Sequence, residues 1–169
     1  MKQFSATLSV IVIIGMSIMP ISAGPVSFPD ESISITLERG MCFGTCPVYG
    51  ITLFGNGTTF WEGRYFVENE GNITDSIDPL IVADLFHHLD FDGFFLLNDS
   101  YSSYGITDMP SATLTVQNNS INKRVYHYYG DRSAPEILFM MEDAVDTVAN
   151  TSRWIGNSSV TDNYNEIIF

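Results

Sequence analysis

Gly55-Asn56-Gly57 stands between two runs of strand-forming residues, Val48 to Phe54 and Thr58 to Trp61, and obliges the chain to turn back on itself there. Asn-Gly between such runs is a strong short-range hairpin signal, because a two-residue loop needs positive φ at both central residues. A two-residue loop sets Leu53 opposite Phe60 and predicts an apolar side at that pair. Ile33-Ser34-Ile35-Thr36-Leu37 alternates with period two and reads as a preceding strand. Arg64 to Val67 extends the second arm of the hairpin.

A helix follows, with Asp78 as its N-cap and Pro79 in its first turn. Val82, Leu85, Phe86 and Leu89 form one apolar stripe, and Asp92-Gly93 stops the helix. Phe94 to Leu97 adds a short buried strand or a turn of helix. The cycle then repeats. Ala112, Leu114 and Val116 alternate with polar neighbours, Asn118-Asn119-Ser120 makes a turn, and Ile121 to Tyr129 returns as a strand. Ser133-Ala134-Pro135-Glu136 has the pattern of a capping box. The helix behind it places Leu138, Met141, Val145 and Val148 inward and Glu142, Asp143 and Asp146 outward, on a solvated acidic face. The expected fold is α+β: an antiparallel sheet from two hairpin-helix (ββα) pseudo-repeats, with the helices packed on one face.

The N-terminus sets the compartment. Lys2 is the only charge before Asp30, an apolar run spans Phe4 to Met19, and small residues close it at Ser22-Ala23-Gly24. This is the pattern of a secretory signal peptide over residues 1–23, with a retained membrane anchor as the alternative. A single domain over 30–156 and a flexible tail over 157–169 are expected to follow. Asn-x-Ser/Thr occurs at Asn56, Asn72, Asn98, Asn118, Asn150 and Asn157, against about two by chance, so these are candidate glycosylation sites in a secreted chain. Seven Lys and Arg against twenty Asp and Glu give a net charge of −13, which repels nucleic acid and anionic lipid alike.

The only two cysteines, Cys42 and Cys46, lie in Gly40-Met41-Cys42-Phe43-Gly44-Thr45-Cys46-Pro47-Val48-Tyr49. In an oxidising compartment such a pair most simply forms one disulfide, worth roughly 2 kcal/mol for so short a loop. Two other readings remain: a thiol-redox pair, and a zinc site completed by His87, His88 or His127. Against the first, three residues separate the cysteines and strands flank them; against the second, none of the histidines has ligand spacing to the cysteines. His88 sits four residues after Asp84, the spacing of a helix-surface pair. No nucleophile elbow, phosphate loop or zincin pattern is present, so no catalytic residue, cofactor or metal is expected. The tyrosines Tyr126, Tyr128 and Tyr129, with Tyr101 and Tyr104 in a loop, give a candidate binding surface centred on Tyr126, Tyr128 and Tyr101.

The Cys-Phe-Gly-x-Cys-Pro-x-Tyr string resembles the defining motif of an uncharacterised family, domain of unknown function 6438. The resemblance takes in Gly55-Asn56-Gly57, Phe60-Trp61 with Gly63, Asp99-Ser100-Tyr101, Thr107-Asp108-Met109-Pro110, Lys123-Arg124-Val125 and Arg153-Trp154-Ile155. It runs from Ile33 to Ile155 and implies no activity. The expected function is that of a secreted or cell-surface, non-catalytic binding or structural domain. Its expected partner is an extracellular protein or glycan, with a membrane only if the N-terminal segment is retained. The alternatives are an extracytoplasmic enzyme, a thiol-redox protein, or a module of enzyme-inhibitor type.

Overall fold

The computed structural model of the protein describes residues 30–103 and 105–156. The expected signal peptide over 1–23, Tyr104, Asn157 and the expected tail over 157–169 lie outside the described residues. Among the described residues the strands are β1 (Ser34–Arg39), β2 (Val48–Phe54), β3 (Thr58–Tyr65), β4 (Gly71–Ser76), β5 (Ser100–Tyr101), β6 (Ser111–Gln117) and β7 (Asn122–Tyr128). They form one sheet in the order β4-β3-β2-β1-β6-β7-β5. Every neighbouring pair is antiparallel except β5 with β7, which run parallel. The helices are α1 (Pro79–Phe91), α2 (Glu136–Ala149) and the single turn α3 (Ser152–Ile155). The fold is α+β.

The β2–β3 hairpin forms where expected, but one residue out of the expected register. Leu53 pairs with Thr59, and Phe60 with Thr52. The loop has three residues rather than two: Gly57 N–H donates to the Phe54 carbonyl, and only Gly57 of the loop has positive φ, at 85°. That is a turn followed by a left-handed glycine, the usual three-residue hairpin. A one-residue shift exchanges the two faces of a strand. Thr59 and Trp61 therefore enter the core, while Phe60 faces out. A Cβ at Gly57 would run into the Ile77 carbonyl oxygen, so glycine is required there for space as well as for backbone angle.

Beyond β3 the chain does not simply extend. It turns through 66–70 and pairs back as the edge strand β4. Helix α1 follows the sequence closely. Asp78 Oδ1 accepts the Leu80 N–H at 2.9 Å, and Val82, Leu85, Phe86 and Leu89 are its buried stripe. Asp78→Ala is expected to lower stability by about 1 kcal/mol, read as a reduced midpoint in urea unfolding at unchanged slope. Phe94–Leu96 is a 3₁₀ turn entered through left-handed Gly93.

The expected capping box on α2 does not form. Pro135 occupies the N-cap position without a side-chain bond, and the Ser133 N–H and hydroxyl both donate to Asp131 Oδ1 instead. Asp131 also accepts the Ser103 N–H, and these hydrogen bonds, from Ser103 and then Ser133, hold its carboxyl below the usual range.

Both long helices pack against β2 and against each other, and α2 also packs against β1. Beneath them lie the odd-numbered residues of β1, β2, β3 and β7 and the even-numbered residues of β6, among them Ile35, Leu37, Ile51, Trp61, Leu114 and Val125. The opposite sheet face is polar: Thr36 and Thr52 share a hydrogen bond of 3.0 Å, and Arg64 bridges Glu38 and Glu62 at 3.2 and 3.0 Å.

Candidate functional site

Strand alternation carries Arg39 onto the helix-covered face, where it extends the row Ile33, Ile35, Leu37. A guanidinium so placed needs acceptors, since burying it unpaired costs several kcal/mol. Helix α2 supplies them. Arg39 Nε and Nη2 both donate to Asp146 Oδ2, at 3.1 and 2.7 Å. Nη2 also donates to Asp143 Oδ1 at 3.0 Å, and Nη1 to Glu142 Oε2 at 3.3 Å and to the Tyr129 hydroxyl. All five guanidinium donors are thereby matched. Asp146 Oδ1 accepts from the hydroxyls of Tyr49 and Thr151, at 2.8 and 2.9 Å.

The network continues inward. Tyr129 donates to Glu142 Oε2 at 2.6 Å, and His127 Nδ1 lies 2.9 Å from Glu142 Oε1. His127 and Glu142 are both fully buried. The imidazole packs edge-on against Phe139, with ring centroids 4.3 Å apart, and lies 4.6 Å from the Tyr129 ring. Burial opposes the charge on Arg39, but Tyr129, Asp146 and Glu142 around it more than offset that and raise its pKa. Burial likewise pushes the Tyr49 and Tyr129 phenols well up, so both stay protonated as donors.

Glu142 and Asp146 therefore correct the expectation of a solvated acidic face. Glu142 is fully buried and the Asp146 side chain is largely so, while Asp143 stays at the rim, 67% exposed. The reason is the Arg39 and His127 beneath them, which reward inward carboxylates. Val148, expected inward, is only half-buried. A cleft of about 180 Å³ opens beside the clamp, lined by Arg39, Pro47, Tyr49, Asp143, Asp146, Thr151, Ser152 and Ile155. The guanidinium and the carboxylates are matched inside the protein, while His127 Nε2 is buried without a hydrogen-bond partner; the cluster works as a cross-link tying α2 and the chain leading to α3 onto β1 and β2.

Cys42 and Cys46 are bonded to one another, their Cα atoms 5.8 Å apart, which removes them as free thiols and as metal ligands. His127 is taken by Glu142, and His87 and His88 are exposed on α1, with His88 Nε2 3.6 Å from Asp84 Oδ2. Among the described residues no group of three His, Cys, Asp or Glu is placed to hold a metal, and no helix is long and apolar enough to cross a membrane.

The tyrosines do not gather into one patch. Tyr126 and Tyr128 share the uncovered sheet face, but Tyr128 is buried, its hydroxyl donating to the Ile106 carbonyl. Tyr126 is half-buried. Tyr101 pairs with His127 and is buried on the helix side. Of the candidate glycosylation sites, Asn56, Asn72, Asn98 and Asn150 are exposed and Asn118 is half-buried. Asn118 Oδ1 accepts the N–H groups of Ser120 and Ile121.

No curated protein matches the chain. A family model does, over residues 33–149, which takes in the disulfide loop, the Arg39 clamp and both long helices. The protein belongs to the family described as Domain of unknown function (DUF6438).

Proposed function

We propose that the protein is a secreted or cell-surface domain that binds or supports other molecules rather than transforming them. The observation that carries this reading is the Cys42–Cys46 bond across the link between β1 and β2. Disulfides persist in oxidising compartments and are rare where thiol reductants are maintained. The buried groups best suited to proton transfer, His127 and Glu142, support the same reading because both are fully buried between α2 and the sheet, closed off from solvent.

In this reading residues 1–23 are a cleaved leader and the exposed sequons carry glycans. The partner is an extracellular protein or glycan. The stretches β2–β3 to α1 and β6–β7 to α2 are read as two copies of one strand-strand-helix unit, the first carrying the additional edge strand β4 before its helix, with β1 seated between them.

Mass spectrometry of the exported protein tests the reading in one measurement. Loss of residues 1–23, sugar mass on Asn56 or Asn72, and no alkylatable thiol before reduction are expected. A product with its leader intact, no sugar and two free thiols overturns it. Replacing both cysteines by serine is expected to cost about 2 kcal/mol, read as a lower urea midpoint.

A further inference from the structure

The link between β1 and β2 does something unusual with its side chains. It holds Phe43 87% exposed and Met41 67% exposed. The disulfide closes the loop around Phe43. The Phe43 N–H donates to the Asp108 carbonyl at 3.1 Å, and the Gly40 N–H to the Ser111 carbonyl at 2.7 Å. A flexible loop could turn an aromatic ring inward; this one is stapled with the ring outward. A rigidly presented aromatic loses little conformational entropy on binding, and aromatic anchors dominate the energetics of interfaces.

The surroundings narrow the choice of partner. Strand register brings Val48 opposite Tyr65, so the exposed Tyr65 and Phe66 stand at the same sheet end. The cleft beside Pro47 sets one guanidinium, Arg39, against two carboxylates, Asp143 and Asp146, and leaves Asp143 exposed at its rim. Asp108, which anchors Phe43, is also exposed. An apolar projection beside exposed acid on a chain of net charge −13 complements a basic surface and repels a second copy or an anionic bilayer.

We propose that the Cys42–Cys46 loop is a docking surface for a basic segment of a partner protein, with Phe43 entering an apolar pocket and Asp143 meeting a Lys or Arg. This deepens the reading of a binding domain and rests on it.

The test uses the disulfide-intact protein and two labelled peptides of equal length, one alternating Lys and Leu, the other Glu and Leu, followed by fluorescence anisotropy. The Lys-Leu peptide is expected to bind and the Glu-Leu peptide not to. Phe43→Ser should weaken binding about tenfold or more. Asp143→Asn, which keeps an oxygen for Arg39, should weaken it about threefold to tenfold and flatten its salt dependence. Asp84→Asn, on exposed α1 surface, should change nothing and controls for net charge. Equal binding by Phe43→Ser, or equal binding of the two peptides, overturns the proposal. So does Phe43-dependent self-association, or Phe43-dependent partition onto phosphatidylcholine vesicles. These outcomes bear on the loop alone; the mass measurement on the exported protein bears on the compartment alone.

Discussion

Arg39→Ala is expected to destabilise the domain by about 3–5 kcal/mol and to lower its Tm by about 10–20 °C, measured by circular dichroism. The substitution removes the guanidinium that pairs with Glu142 and Asp146, and it leaves the fully buried Glu142 with only His127 and Tyr129 as partners. The loss exceeds that of an ordinary surface ion pair because water cannot replace the missing donors. Arg39→Lys should recover only part of it. A single ammonium cannot reproduce the fork that serves Asp146, Asp143, Glu142 and Tyr129 together. A Tm within about 2 °C of the parent for Arg39→Ala would show that the clamp does not hold α2 to the sheet.

Trp61→Ala is expected to cost a comparable amount, about 3–5 kcal/mol. Trp61 is fully buried, stacks on Tyr49 at 4.7 Å, and lies 5.2 Å from Trp154 of α3. Its Nε1–H donates to the Asn69 carbonyl at 2.9 Å, so truncation opens a cavity and also leaves that carbonyl short of a donor. Trp61→Phe keeps most of the volume and should cost distinctly less. Chemical denaturation of the two variants side by side checks the order. If the alanine variant unfolds at the same denaturant concentration as the phenylalanine variant, cavity formation is not what makes this position matter.

The two positions show how unevenly the sequence declares itself. Trp61 sits in a hairpin arm visible from its turn, yet a two-residue loop and a three-residue loop around Asn56 differ by one step of register. That step decides whether Phe60 or its neighbours Thr59 and Trp61 face the core. Gly57 lies against Ile77 and Pro79, which approach from outside the hairpin, so local residues alone do not fix the loop type.

The clamp left a clearer trace than its expected reading as a solvated face suggests. Arg39 continues the inward alternation of Ile33, Ile35 and Leu37, and His127 continues that of Val125. Glu142 lies four residues after Leu138 and three before Val145, within the buried stripe of α2. A charged residue at an inward position is a signal that it has a partner. What no single segment carries is which partner, because Arg39 and Asp146 are 107 residues apart in the chain.

By itself the sequence determined the local elements: the strands around Gly55-Asn56-Gly57, the Asp78-capped helix, the second hairpin-helix stretch, and the α+β class they compose. These depend on periodicity and turn chemistry, which act over a few residues. Only the tertiary structure decided the hairpin register, the burial of Glu142 and Asp146, and the closure of Asp131 onto Ser133 in place of a helix cap. Each of those was set by groups meeting from distant parts of the chain, where satisfying a buried charge or filling a close contact outweighs local preference.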